Sequence, residues 1–232
     1  MKNIFKLFLL SHFLIINADF SDLETINNEN QEYVCVSLGF NCTVAINLRN
    51  NKLRELSFPF DWNITSLYGL RELINNNFID LLNPNYLEKK NLIFNTKYKI
   101  AFGHDFPEAD TGNGMRIVEN YLDYVDEIHT KYQRRINRFY DVCNLAKTVY
   151  FFRLKSEYWI FDNTPEDKEN IIKLRDALMK SFPQSNWILV AIDTSAEYQN
   201  DWAIPNVKNF YISDHGKNNE WTAIFKQLGL LT

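Results

Sequence analysis

The sequence predicts a single three-layer α/β/α domain with a mostly parallel sheet. Three continuous apolar runs, "TVYFFRL" (residues 148–154), "NWILVAID" (186–193) and "VKNFYISD" (207–214), show little polar/apolar alternation, as expected of strands covered on both faces. Segments of helical periodicity stand before, between and after them. That alternation of strand and helix is the pattern that buries a parallel sheet.

The first strand is "YVCVSLG" (33–39), apolar and β-branched, and residues 43–54 then read as a helix with Val44 and Leu48 inward. The middle, residues 66–115, is less regular. It holds a helix over 67–76, a strand in "KYKIAFG" (97–103) and a Gly/Asp/Pro-rich loop to Gly114. Residues 119–146 carry the cleanest period: Tyr121, Val125, Ile128, Tyr132, Ile136, Phe139, Cys143 and Ala146 recur at steps of three and four. On a 3.6-residue helix they lie within about 40° of one line, which makes Cys143 a core residue. After the strand at 148–154, Thr164 can cap the next helix, Pro165 suits its first position and Asp167 complements its dipole. That helix runs to about Ser181 and Pro183 closes it. Asn218 or Asn219 can cap a last helix bearing Trp221, Ile224, Phe225 and Leu228.

The bulk properties bound the function. A chain of 232 residues with 46% hydrophobic and 15% aromatic content builds one sizeable core. Its net charge of −4 lacks the positive field of a nucleic-acid binder. Three cysteines without a CxxC pair and four scattered histidines form neither a disulfide framework nor a metal-ligand spacing, so no metal and no cofactor are expected.

The N-terminus has the layout of a secretory signal peptide over residues 1–18: Lys2 and Lys6, an apolar run over 7–16, then Ala18. The run is too short for a stable membrane span of about 20 residues. A polar spacer over 19–31 follows, and 32–232 is the single domain. The expected compartment is the secretory pathway or periplasm if the segment is a signal, and the cytoplasm if it belongs to the fold. The sequons at Asn41 and Asn63 lie within the segment of greatest chemical interest and carry little weight for secretion.

In open parallel sheets, ligands sit beyond the carboxyl ends of the strands. Those ends carry Asn41-Cys42, His104-Asp105, Arg153, Asp193 and Asp214-His215. Cys42 follows a glycine turn at the start of a helix, where backbone N–H groups favour a thiolate and can bind an oxyanion. His104 and His215 are the two candidate bases. Arg135 lies at the edge of the buried stripe, within reach of an anionic group. Asp61, flanked by aromatics in "FPFDW", needs a partner if it is buried.

The blocks "SLGFNCTVAINLRNNKLRELSFPFDW", "YKIAFGHDF", "YQRRINRF" and "VYFFR", with a closing "W..IF..LGL", resemble the DUF1796 family, described as "putative papain-like cysteine peptidase". The resemblance covers nearly all of the chain from about Tyr33. It implies Cys42 as nucleophile and His104 as base, with Asp61 our candidate for the orienting carboxylate. Asn41, Asp105, Arg135, Arg153, Asp214 and His215 are the candidate substrate-binding residues. The implied substrate is a small peptide, acyl or glycan-type molecule. The strand–helix alternation of the second half also resembles SGNH-type hydrolases, in which an Asp and a His near the C-terminus complete the site, as Asp214 and His215 would here. The competing expectation is a glycan-related enzyme or binding protein. It would hold a sugar phosphate or nucleotide-sugar through Arg135 and Arg153, with Cys42 structural.

Overall fold

The computed structural model describes residues 32–112, 114–155 and 167–232. In chain order the first elements are β1 (Val34–Ser37), α1 (Cys42–Asn50), β2 (Asn63–Thr65), α2 (Leu67–Asn75), β3 (Leu87–Lys89), β4 (Ile93–Asn95) and β5 (Ile100–Phe102). Then come β6 (Glu108–Asp110), β7 (Met115–Ile117), α3 (Val125–Leu145), β8 (Val149–Leu154), α4 (Lys168–Ser181), β9 (Trp187–Asp193), β10 (Val207–Tyr211) and α5 (Asn218–Gln227).

The four strands β1-β8-β9-β10, in that order, form an all-parallel sheet. Successive side chains of a strand point to opposite faces, and the packing follows that rule. Val149 and Phe151 join Phe139 of α3, Leu70 of α2 and Leu174 of α4 in one core. Phe152 and Leu154 join Val44 and Leu48 of α1 and Trp221 and Phe225 of α5 in the other. Each fully buried aromatic or leucine contributes on the order of 2–3 kcal/mol by leaving water. Two apolar faces, each covered by helices, make the three layers the sequence predicts. Cys35 and Cys143, both 1% exposed, belong to these cores.

The middle of the chain is where the fold exceeds the expectation. Residues 63–102 form a second, antiparallel sheet, ordered β2-β5-β4-β3, and β6, inside the segment read as a loop, pairs as a hairpin with β7 just beyond it. Each of these strands is three residues long, too short to show a period of two. A single bridge, Phe40 beside Ile64 in parallel sense, joins the two sheets, with the Thr65 N–H donating to Phe40 O at 3.1 Å.

The helix boundaries shift for local reasons. α1 ends at Asn50, short of Arg54, because Lys52 turns left-handed (φ 58°) and the Leu53 N–H closes on Leu48 O at 2.8 Å. Residues 121–124 form a 3₁₀ turn before α3. Asp167 caps α4, accepting from the Asn170 N–H at 2.9 Å, whereas the expected cap Thr164 lies outside the described residues. The cap position of α5 is Lys217, with Asn218 already helical. The signal-peptide and spacer segments, 1–18 and 19–31, also lie outside the described residues. Among those described, no helix is long and apolar enough to cross a membrane.

Candidate active site

β1 ends at Ser37, whose Oγ accepts the Gly39 N–H at 3.1 Å. Gly39 and Phe40 are both left-handed, with φ of +74° and +78°. For a bulky aromatic this is an outlier, and it costs on the order of 1–3 kcal/mol. The Phe40 ring, 3% exposed, is held in the core with Val44 and Leu48, and its carbonyl is held by Thr65. Asn41 returns to extended backbone and caps α1 by accepting the Thr43 N–H at 2.8 Å. Cys42 is the first residue of that helix and is half-buried. The chain thus turns sharply, on a strained residue, to set a thiol at a helix start beyond the carboxyl end of the parallel sheet.

Beneath this elbow lies Arg153 of β8, fully buried. Its Nη1 donates to Leu38 O at 3.2 Å and to Thr65 Oγ1 at 2.7 Å, and its Nη2 to Thr65 O at 2.9 Å. Expected to face a ligand, it instead spans β1 and β2.

Asp61 is also fully buried. Its Oδ2 accepts from Arg54 through Nε at 3.0 Å and through Nη2, and from the Phe58 N–H at 2.8 Å. Burial raises its carboxyl above the ordinary value, against the pull of Arg54, the Phe58 N–H and Arg135. Its partner is therefore a guanidinium, not an imidazole. Arg54 also reaches Ser57 Oγ at 2.9 Å and lies 5.7 Å from the centre of the Trp62 ring.

His104 is exposed and meets Trp62 edge-on, ring centres 5.9 Å apart. It lines an open groove of about 680 Å³ with Phe106, Tyr124, Ile128 and Arg134. Asp105 turns inward: its Oδ1 lies 2.7 Å from Lys131 Nζ and 3.7 Å from Arg135 Nη1, and its Oδ2 accepts from Tyr132 OH at 2.7 Å. The same hydroxyl lies 2.7 Å from Asn63 Oδ1, and burial, then the Asp105 charge, push it well above a normal phenol.

The register places Cys42 and His104 relative to each other. Cys42 follows Phe40, which runs parallel to Ile64, so it lies toward the Thr65 end of β2. His104 follows Phe102, which pairs antiparallel with Asn63, so it lies past the other end. Among the described residues no hydrogen bond joins Cys42 and His104.

Asp214 and His215 follow β10, three strands from β1, or about 14 Å across the sheet. Asp214 is exposed and accepts the Gly216 N–H at 2.8 Å, and the His215 carbonyl accepts from Trp221 Nε1 at 3.0 Å. Of the residues singled out in the sequence, the fold therefore brings together Asn41 with Cys42, and both Asp105 and Asp61 with Arg135. It adds three that pattern did not reveal. Arg54 and Thr65 carry no periodic signal. Tyr132 stood on the core stripe, and the signal was its hydroxyl, since a buried tyrosine needs a polar partner.

Two curated proteins and one family model match the chain. "Uncharacterized protein R408" of Acanthamoeba polyphaga mimivirus is 26% identical over 215 residues, covering 80% of this chain and 91% of its own. "Uncharacterized protein ORF1" of Spiroplasma virus SpV1-R8A2 B is 23% identical over 259 residues, covering 97% of this chain and 33% of its own. No solved structure matches the chain. The model of the family described as "Putative papain-like cysteine peptidase (DUF1796)" matches residues 33–192, from β1 through the elbow and the buried ion pairs to the end of β9, and the chain belongs to that family.

Proposed function

We propose that the chain is a thiol-dependent acyl hydrolase or transferase, within the papain-like description of its family, with Cys42 as the nucleophile. The observation that carries this reading is the Gly39-Phe40 elbow: two consecutive left-handed residues, the second a buried phenylalanine, immediately before a half-buried cysteine at a helix start. Strain of this kind persists only where the surroundings enforce it, and it gathers at reactive sites. The same logic of strand, sharp turn, nucleophile and helix presents the reactive atom in other hydrolase folds.

In this reading the Cys42 thiolate attacks the acyl carbon and the carbonyl electrons move to its oxygen. The first-turn N–H groups left over by the Asn41 cap stabilise that oxyanion. Collapse expels the protonated leaving group and leaves a thioester, which water or a second acceptor then resolves. The family order implies His104 as the proton carrier. Among the described residues no hydrogen bond joins it to the thiol, so its share falls in the substrate-bound state. The competing reading, anion binding through Arg135 and Arg153, has less support. Arg153 is buried against Leu38 and Thr65, and Arg135 sits beside Asp105.

The test is alkylation of the folded protein by iodoacetamide near neutral pH, mapped by mass spectrometry. Cys42 is expected to react faster than free glutathione. Cys35 and Cys143, whose thiols burial pushes up, are expected to stay unmodified until the protein unfolds. His104→Ala is expected to leave that rate unchanged. A Cys42 that reacts no faster than glutathione refutes the nucleophile.

A further inference from the structure

Four facts converge on the ground below Cys42. First, the chain leaving β1 meets β2 at the Phe40–Ile64 bridge, and Leu38 O and Thr65 O lie within two residues of that bridge. Second, Arg153 bonds to both of these carbonyls and to the Thr65 hydroxyl. Third, Thr65 is the residue whose N–H holds the Phe40 carbonyl. Fourth, Gly39 packs so closely here that a Cβ would lie 2.9 Å from Thr65 Oγ1 and 3.0 Å from Phe60 O.

Such an arrangement is an expensive way to fill a core. The other five residues of β8 are apolar or aromatic, yet Arg153 carries a full charge at 0% exposure. Replacing buried charged groups with well-packed apolar ones is often neutral or stabilising. Stability alone therefore gives no reason for a guanidinium at this point. What a rigid, planar, multidentate cation does supply is geometry: three acceptors from two strands held in fixed relation. Those acceptors flank the two left-handed residues that aim Cys42.

We infer that Arg153 and Thr65 are a positioning pair for the Cys42 nucleophile. The inference rests on the proposed role of Cys42. In this arrangement Arg153 reaches no substrate. It holds Thr65 and Leu38, Thr65 holds Phe40, and the elbow holds the thiol at the first turn of α1. A displacement of about 1 Å in a reacting group can cost on the order of a hundredfold in rate. Partial loosening of the pair is therefore expected to cost about tenfold.

The experiment compares Thr65→Ser, Thr65→Val and Arg153→Lys with the parent chain, each assayed well below its own midpoint of thermal unfolding. Cys42 alkylation is expected to fall about tenfold or more in Thr65→Val and in Arg153→Lys, and to be restored in Thr65→Ser, which keeps the hydroxyl. Amide hydrogen exchange at Thr43 and Val44 is expected to rise in the two defective variants by more than at Leu48, in the second half of α1. If Thr65→Val lowers the unfolding midpoint yet leaves both readouts at parent values, the pair is merely structural and the inference fails. If Cys42 of the parent chain is itself unreactive, the nucleophile reading fails. The exchange comparison then decides the pair: equal exchange in Thr65→Val and Thr65→Ser overturns it, and a selective rise in Thr65→Val upholds it.

Discussion

Replacing Gly39 by alanine tests the elbow at its tightest point, and a second glycine supplies the control. Gly39 and Gly229 have nearly the same left-handed backbone, φ of +74° and +73°. They differ in what surrounds them. A Cβ on Gly229 would meet nothing within 4 Å, whereas on Gly39 it would lie 2.9 Å from Thr65 Oγ1 and 3.0 Å from the Phe60 carbonyl oxygen. The conformational cost is common to both and amounts to about 1–2 kcal/mol. Steric overlap adds about 1–3 kcal/mol at Gly39 alone. It cannot be relieved by rotating a side chain, because one of the two contacts is backbone. Gly229→Ala is therefore expected to destabilise by about 1–2 kcal/mol and Gly39→Ala by about 2–5 kcal/mol. In a domain of this size each kcal/mol lowers the midpoint by about 2–4 °C. Urea titration followed by tryptophan fluorescence measures both, since Trp187 and Trp221 are buried in opposite cores. Equal destabilisation by the two substitutions would show that the close approach of Gly39 to Thr65 and Phe60 carries no energy, and the account of the elbow would fall.

Two further perturbations follow from the buried charges. Asp61→Ala leaves Arg54, whose side chain is 9% exposed, without its carboxylate. It is expected to cost about 3–5 kcal/mol in denaturant unfolding, and the double variant with Arg54→Met less than the sum of the two single changes. At Asp193, burial alone would raise the carboxyl, but the nearby Ser195 hydroxyl, the Lys155 ammonium that donates to it at 2.9 Å and the Thr194 N–H bring it below the ordinary value. A depressed acid stabilises the fold above the unfolded value of about 3.9 and loses that contribution as pH falls through its folded value. Asp193→Asn should therefore flatten the acid limb of stability below about pH 4, and an unchanged limb would contradict the assignment.

The parts of the fold that could be read in the sequence are those where one chemical type repeats long enough to set a period. β8, β9 and β10 are five to seven residues long, β8 and β9 largely buried, and α3 carries six residues of one stripe, so their patterns name them. β2 to β5 fail that test at three residues each, and β2 is polar at both ends, with Asn63 and Thr65. β2 pairs with β5 across 35 to 39 positions, which no local window contains, while β3, β4 and β5 follow one another as short hairpins. The site divides along the same line. Gly39, the Asn41 cap and Cys42 are neighbours in sequence, and their geometry could be read from the chain. The partners of Asp61 and Arg153 could not, because Arg54 and Thr65 reach them through tertiary approach. Arg153 reads as a ligand contact because it stands at the carboxyl end of its strand, the edge where open parallel sheets bind ligands. The extension of the sheet past β1 by β2 is what buries it.

The distribution of buried polar residues sets this extension apart from the rest of the fold. Ten polar or charged residues are buried among those described, and four of them, Asp61, Asn63, Thr65 and Ser66, fall within six consecutive positions. Arg153 bonds directly to that stretch, and Ser37 holds the N–H of Gly39, which packs against it. A three-residue strand needs no such concentration to pair. Each buried polar group costs about 1–3 kcal/mol wherever its hydrogen bonding is incomplete, as it is at Asp61 Oδ1. Proteins depart from an apolar core in this way at sites where geometry matters more than stability. Cys42 stands toward one end of this strand and His104 past the other. Under the reading proposed above, β2 is the element along which a substrate reaching from the thiol to the imidazole is aligned.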